Sequence, residues 1–279
     1  MLRMVLAIFL LFGSFETSFA QDAAAIRKTL LFEQLLRIQR IGKSACLVLS
    51  GADSQIHSDA TVDNAVAFSA VMGVIIDGDT SIGLAPMSDG TQRTALAEAA
   101  QYARGLTLSA QQVAAGDLHA VPVGLILSRT GPTANRLHAA LKEMQQIPAG
   151  QSAATQNAIR LLHQQNELLE GILRDFCHLR LSIGSVDTAA RIRENMAGFM
   201  AMNSALITGD PSLALDKPPN IKVKITLGQI TSKWVAFEAL LAPALAGADM
   251  ELRDAQLASV IGGTLSKRLA DLIEMYQTL

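Results

Sequence analysis

Three cations stand at Arg37, Arg40 and Lys43, spaced i, i+3 and i+6 in an apolar-periodic stretch. On a helix that spacing puts them on one flank, where they either meet an anion or an acidic partner or form a solvated face. Gln34 and Gln165 are amides in equivalent apolar surroundings, suited to a polar contact inside a helical bundle or at its seam. Together Gln34, Arg37, Arg40, Lys43 and Gln165 are the candidate ligand-binding residues. The five histidines, His57, His119, His138, His163 and His178, show no His-x-x-x-His or Glu-x-x-His spacing. His163 and Glu167 sit at i and i+4, but a helical metal site needs further ligands from another helix, so no metal is expected. Gly78-Asp79 and Gly209-Asp210 lack the alternating oxygen ligands of a calcium loop and read as helix stops. Nucleophile elbow, phosphate loop, dinucleotide fingerprint and zinc-protease motif are all missing, and neither cysteine stands in an activating setting. The expectation is therefore a protein without catalysis and without a cofactor.

The composition constrains the elements that must hold these residues. Half of the 279 residues are apolar and 17% are charged, which disfavours disorder. Aromatics make up only 4%, a balance that suits packed helices better than sheets. With 23 Lys plus Arg against 25 Asp plus Glu the formal charge is −2, so no global field favours nucleic acid. Met1-Leu2-Arg3-Met4, the apolar run Val5 to Phe15 and the small residues Ser18 and Ala20 read as a secretory signal cut after Ala20. No later apolar run is expected to span a membrane, and the mature chain is expected in the periplasm. Export places Cys46 and Cys177 in an oxidising compartment where they can pair. Both nevertheless lie in apolar helical stretches, and the expectation is that they are buried and unpaired.

An internal repeat organises the chain. Cys46 and Cys177 are 131 residues apart, and the same offset aligns Leu30-Leu31 with Leu161-Leu162, Gln34 with Gln165, Lys43 with Arg174 and Phe68 with Phe199. It also aligns Ile76-Asp77-Gly78-Asp79 with Ile207-Thr208-Gly209-Asp210, Ser81 with Ser212, Leu96 with Leu227 and Ala115-Gly116 with Ala246-Gly247. Two copies of one module follow, Asp22 to about Pro148 and Gly150 to Leu279, joined at Pro148-Ala149-Gly150. In the first copy apolar positions recur at three and four, predicting helices over Asp22 to Leu49, Thr61 to Asp77, Gly90 to Ala115 and Pro122 to Ile147. The second copy repeats them over Ala153 to Leu181, Asp187 to Thr208, Pro219 to Ala246 and Met250 to the terminus. The predicted fold is all-α, two tandem antiparallel four-helix bundles after a cleaved signal peptide.

Gln39-Arg40-Ile41-Gly42-Lys43-Ser44-Ala45-Cys46-Leu47 resembles the first helix of the periplasmic sensing domain of type IV pilus methyl-accepting chemotaxis transducers and of nitrate and nitrite sensor kinases. Phe199 to Asp210 is similar to that family's second-helix end, and Leu227 through Trp234 to Leu241 to its tryptophan-bearing segment. The resemblance implies a helical bundle that binds a small ligand or a partner outside the cytoplasm. In the nitrate sensors an arginine of the first helix grips the anion at a dimer interface, and the matching positions here are Leu35 and Asn166. The family's second Gln-Arg pair is kept as Gln39-Arg40 and becomes Glu170-Gly171 in the second copy. The expectations are a sensor-like binding protein for a small anion such as nitrate or nitrite, as a possible homodimer, with output through an envelope or membrane signalling protein. The alternative expectation is a structural or assembly module of the envelope that binds no small ligand.

Overall fold

The structure, a computed structural model, describes residues 2–88, 90–142 and 152–279, with the side chains described from residue 23 onward. Its elements are α1 (Leu2–Leu49), α2 (Ser54–Asp77), α3 (Thr91–Tyr102), α4 (Leu106–Ala114), α5 (Ala120–Lys142), α6 (Ala153–Arg180), α7 (Thr188–Thr208), α8 (Ile221–Leu245) and α9 (Leu252–Gln277). The chain is all-α, with no strand among the described residues. The signal-peptide reading falls on residues 1–20, whose side chains lie outside the described ones. The expected joint at Pro148-Ala149-Gly150 also lies outside them.

Packing follows the apolar periodicity. In the first half α1 packs on α2 and α5, α2 on α3 and α4, and α5 on α3 and α4. Their shared core contains Leu31, Leu35, Ile38, Phe68, Ile75, Leu96, Leu106, Ile126 and Leu137. In the second half α6 packs on α7 and α9, and α8 on α7 and α9, around Leu162, Leu169, Phe199, Leu227, Trp234, Phe237 and Leu269. The two halves meet where α1 packs along α6.

Helix ends have local causes. Both α2 and α7 stop at a glycine of positive φ, Gly78 at 80° and Gly209 at 75°. A Cβ at Gly78 would stand 2.5 Å from the Leu84 carbonyl oxygen, so no side chain fits there. The chain then turns through single 3-10 turns, Thr80–Ile82 and Pro211–Leu213, closed by the bridges Asp79 to Leu84 and Asp210 to Leu215. Each aspartate accepts from the serine two residues on: Ser81 N–H at 2.8 Å and Ser81 Oγ at 2.6 Å, Ser212 N–H at 2.9 Å and Ser212 Oγ at 2.6 Å. These hydrogen bonds hold both carboxyls below their ordinary range. Ser152 caps α6 by accepting from Thr155 N–H at 3.1 Å, and Asn220 caps α8 by accepting from Val223 N–H at 3.0 Å.

Three expectations are corrected. The helix predicted over Gly90 to Ala115 is two, α3 and α4, because Gly105 takes a left-handed conformation at φ 85° and breaks the hydrogen-bond ladder. The second helix begins at Ser54 rather than Thr61, so His57 and Ser58 belong to its buried face. That helix is also apolar and long enough, by length and composition, to cross a membrane, contrary to the reading that no segment after the first run is. Its Ala-, Val- and Ile-rich stretch gives it that character, while its buried face packs on α1.

Candidate functional site

The α1–α6 seam gathers most of the charged residues that leave water. Phe32 stacks on His163 with ring centroids 4.5 Å apart and planes 4° from parallel. Fourteen residues further along, Cys46 is bonded to Cys177, with Cα atoms 6.1 Å apart. Each pair is 131 residues apart, so α1 and α6 run parallel and in register, and positions related by that offset face each other. Fourteen is two heptads, the spacing that keeps one stripe of each helix on a shared seam. Between the two pairs, Lys43 Nζ lies 2.6 Å from Glu170 Oε2, while Arg174 Nη1 donates to Gln39 Oε1 at 2.5 Å. Exchanging the two helices maps one contact onto the other, since Lys43 corresponds to Arg174 and Gln39 to Glu170.

The disulfide corrects the reading of Cys46 and Cys177 as unpaired. Each cysteine taken alone sits in an apolar helix face, and pairing requires knowing that those faces meet in parallel register. Once they do, an identical residue at the same repeat position is brought onto the local two-fold axis opposite its equivalent.

Glu170 is the electrostatic centre of the seam. Only 2% of its side chain is exposed, and it is met by Lys43 and by Arg40 Nε at 3.1 Å. Burial alone raises its pKa, but Lys43 and Arg40 outweigh that and hold the carboxyl below its usual range. Arg40 Nη2 also donates to Ser266 Oγ at 3.0 Å, and Ser266 Oγ donates in turn to Asn166 Oδ1 at 2.7 Å. A second buried carboxylate, Asp175, is gripped by Arg174 at 2.8 Å and by Arg191 Nε at 2.6 Å. Its desolvation is likewise outweighed by its two arginines, so it too stays ionised below the ordinary carboxylate range. Arg180 Nη1 closes the end of the seam by donating to the Ser50 carbonyl at 3.1 Å.

The candidate residues therefore separate. Arg40 and Lys43 converge on Glu170, and Lys43, with 11% of its side chain exposed, is no part of a solvated face. Arg37 instead pairs with Glu33 one turn back at 3.2 Å. Gln165 is fully buried and donates from Nε2 to the Phe199 carbonyl at 3.0 Å, which places this amide inside the second half, facing α7. Gln34 is equally buried, and its amide atoms have no hydrogen-bond partner among the described residues. Leu35 lies in the first core, and Asn166 is buried beside Ser266. Sequence reasoning missed Glu170, Asp175 and Ser266. A signal for Glu170 was present in the repeat alignment, where Glu170-Gly171 stands opposite Gln39-Arg40: a lost arginine in one copy is also a new acid facing the arginine of the other.

As arranged, each buried carboxylate of the seam is met by two cations. Arg40 and Lys43 reach across to Glu170 of the other half, while Arg174 and Arg191 hold Asp175 of their own, and no group of three or more His, Cys, Asp or Glu side chains is placed to hold a metal ion among the described residues. Compared with known proteins, the chain matches no family model and no curated protein.

Proposed function

We propose that this chain is an exported, non-catalytic, sensor-like binding protein that acts through an envelope or membrane signalling partner. In this reading it is two tandem four-helix bundles fused so that one chain supplies what two copies of a sensing domain would supply as a dimer. The observation that carries the reading is the seam: first helices that are parallel, in register and paired at positions 131 residues apart, Phe32 with His163 and Cys46 with Cys177. A head-to-tail stack of two unrelated bundles has no reason to bring equivalent residues together, whereas an interface descended from a two-fold dimer does so necessarily. The resemblance of Gln39 to Leu47 to the first helix of chemotaxis transducers and nitrate sensors supports the same reading, and a disulfide between the halves suits an oxidising compartment.

The second reading, a structural module of the envelope without a small ligand, draws support from Glu170. This side chain already engages Arg40 and Lys43, two of the three candidate cations of the first helix. Calorimetric titration with nitrate, nitrite and a panel of small polar metabolites separates the two. The sensor-like reading expects saturable binding of at least one member, with stabilisation of about 2.7 kcal/mol when that ligand is present at 100 times its Kd. A flat response across the panel favours the structural module.

A further inference from the structure

At the end of the seam, beyond the Phe32–His163 stack, α1, α5 and α6 enclose a cleft of about 520 Å³. Its lining includes Lys28, His138, Lys142 and Arg160, with Phe32 and Leu141 as apolar wall. Among the described residues no carboxylate pairs with Lys28, Lys142 or Arg160, in contrast to the cations deeper in the seam. Arg160, among the described residues, donates to Gln164 at 3.2 Å. His138 is the lining group that has an acid, Glu167, 2.8 Å from its Nε2. The first turn of α6 also contributes to the lining, so the positive end of a 28-residue helix adds to the same field. Burial, and after it the nearby Arg160 charge, depress the Lys28 pKa.

We propose that this cleft binds a small organic polyanion, a di- or tricarboxylate or a phosphate ester, held by Lys28 and Arg160 from the two halves of the chain and by Lys142 at the mouth. Its volume is in the range of cavities that enclose small organic ligands, and the apolar wall suits a carbon skeleton between the charges. Guanidinium and ammonium groups drawn from neighbouring helices offer two points of attachment to a ligand with more than one anionic group. The site draws on α1, α5 and α6 together, so occupancy ties the halves to each other at the end of the seam opposite the disulfide. The inference builds on the sensor-like reading by naming its ligand class.

The test is calorimetry of the purified chain with citrate and with inorganic pyrophosphate, alongside co-sedimentation with phosphatidylcholine vesicles with and without phosphatidylglycerol. The expected result is saturable, salt-sensitive binding at one site per chain. It weakens at least tenfold in Lys28→Gln/Arg160→Gln and stays at the wild-type value in Lys222→Gln, an exposed position on α8. Lys142→Glu, also at an exposed position, reverses charge at the mouth without touching the core and is expected to weaken binding in the same direction. Binding of anionic vesicles alone, lost in the same variants, identifies a lipid headgroup as the source of the anion. Undiminished binding in both variants, or none in either the soluble or the vesicle arm, overturns the proposal. If a neutral metabolite from the wider panel still binds, the sensor-like reading survives that failure.

Discussion

The layer around Trp234 and its counterpart around Ala103 occupy equivalent positions in the two halves yet are packed by different means. In the second half Trp234 is fully buried, stacked on Phe199 at 3.9 Å and 7° and tilted against Phe237 at 5.5 Å, and α8 runs unbroken past it. In the first half the corresponding residue is a partly buried alanine, the helix breaks at Gly105, and Leu106, the counterpart of Phe237, is fully sequestered at the start of α4. A large aromatic fills the layer in one case, and in the other the backbone bends to close it. Close packing has to be met everywhere, but a repeat meets it with volume or with geometry.

The comparison breaks most visibly at Trp234. Trp234→Ala removes the ring from a site with no bend to compensate, and is expected to cost about 3–5 kcal/mol in denaturant unfolding. A loss under about 1 kcal/mol would mean that α8 can fold inward as α3 and α4 do. Next in size is the covalent link between the halves. It closes a separation of 131 residues, and its loss in Cys46→Ser/Cys177→Ser is expected to cost about 2–4 kcal/mol. Free-thiol titration of the unfolded, unreduced wild-type chain should find none, and two reactive thiols would remove the link from the seam.

Glu170 and Gln39 stand at positions related by the 131-residue offset, one charged and one neutral. Glu170→Gln leaves the Lys43 charge buried without its carboxylate and is expected to cost about 3 kcal/mol near neutral pH. Gln39→Ala removes a neutral acceptor from Arg174, which keeps Asp175, and is expected to cost about 1 kcal/mol. The pH dependence distinguishes ionic from merely steric loss. Because the folded carboxyl of Glu170 titrates below its ordinary value of 4.5, its contribution is complete above that pH and is lost as pH falls through the lower folded value. The gap between wild type and Glu170→Gln should therefore narrow below pH 4.5, while the gap to Gln39→Ala should not. The contribution of three buried histidines is lost earlier, from pH 6.5 toward about 4, since burial lowers His57, His163 and His178 to about 4 and the unfolded chain takes up those protons first, while His138, raised by its hydrogen bond to Glu167, works in the opposite sense.

These contrasts also mark how far the residues alone could be read. The ends of α1 at Leu49, α2 at Asp77 and α7 at Thr208 were legible because a periodic apolar face and a glycine stop are local signals. The break before Leu106 was not. A single glycine such as Gly105 is tolerated in many helices, and its left-handed conformation is not a local signal of the sequence. Likewise Arg40 and Lys43 were visible as candidates, but their partner was not, because Glu170 reaches them only after two helices 130 residues apart are laid side by side. The repeat offset contained the seam implicitly: any two-fold pairing of the first helices brings Cys46 to Cys177. Reading each copy in isolation concealed it.

The smallest expected effect lies in the turns after α2 and α7, where the two halves are otherwise most alike. Both turns close with a residue of left-handed conformation, Gly83 at φ 71° in the first and Ala214 at φ 49° in the second. A Cβ in that region crowds the backbone and costs about 1 kcal/mol, whereas glycine adopts it freely. Nothing lies within 4 Å of where a Cβ on Gly83 would point, so the backbone alone sets the cost there. Ala214→Gly is therefore expected to stabilise the chain and Gly83→Ala to destabilise it, each by about 1 kcal/mol, read as opposite shifts in Tm. Pro211 bears on the size of that symmetry. It pre-sets φ at the first position of the second turn, where the first has Thr80, and so limits the unfolded chain near Ala214. If the two shifts are equal and opposite, the turns are equivalent and the proline only stiffens the unfolded state. If Ala214→Gly instead destabilises, the second turn depends on the restriction that alanine adds to the unfolded chain, and the resemblance between the two turns ends at their hydrogen bonds.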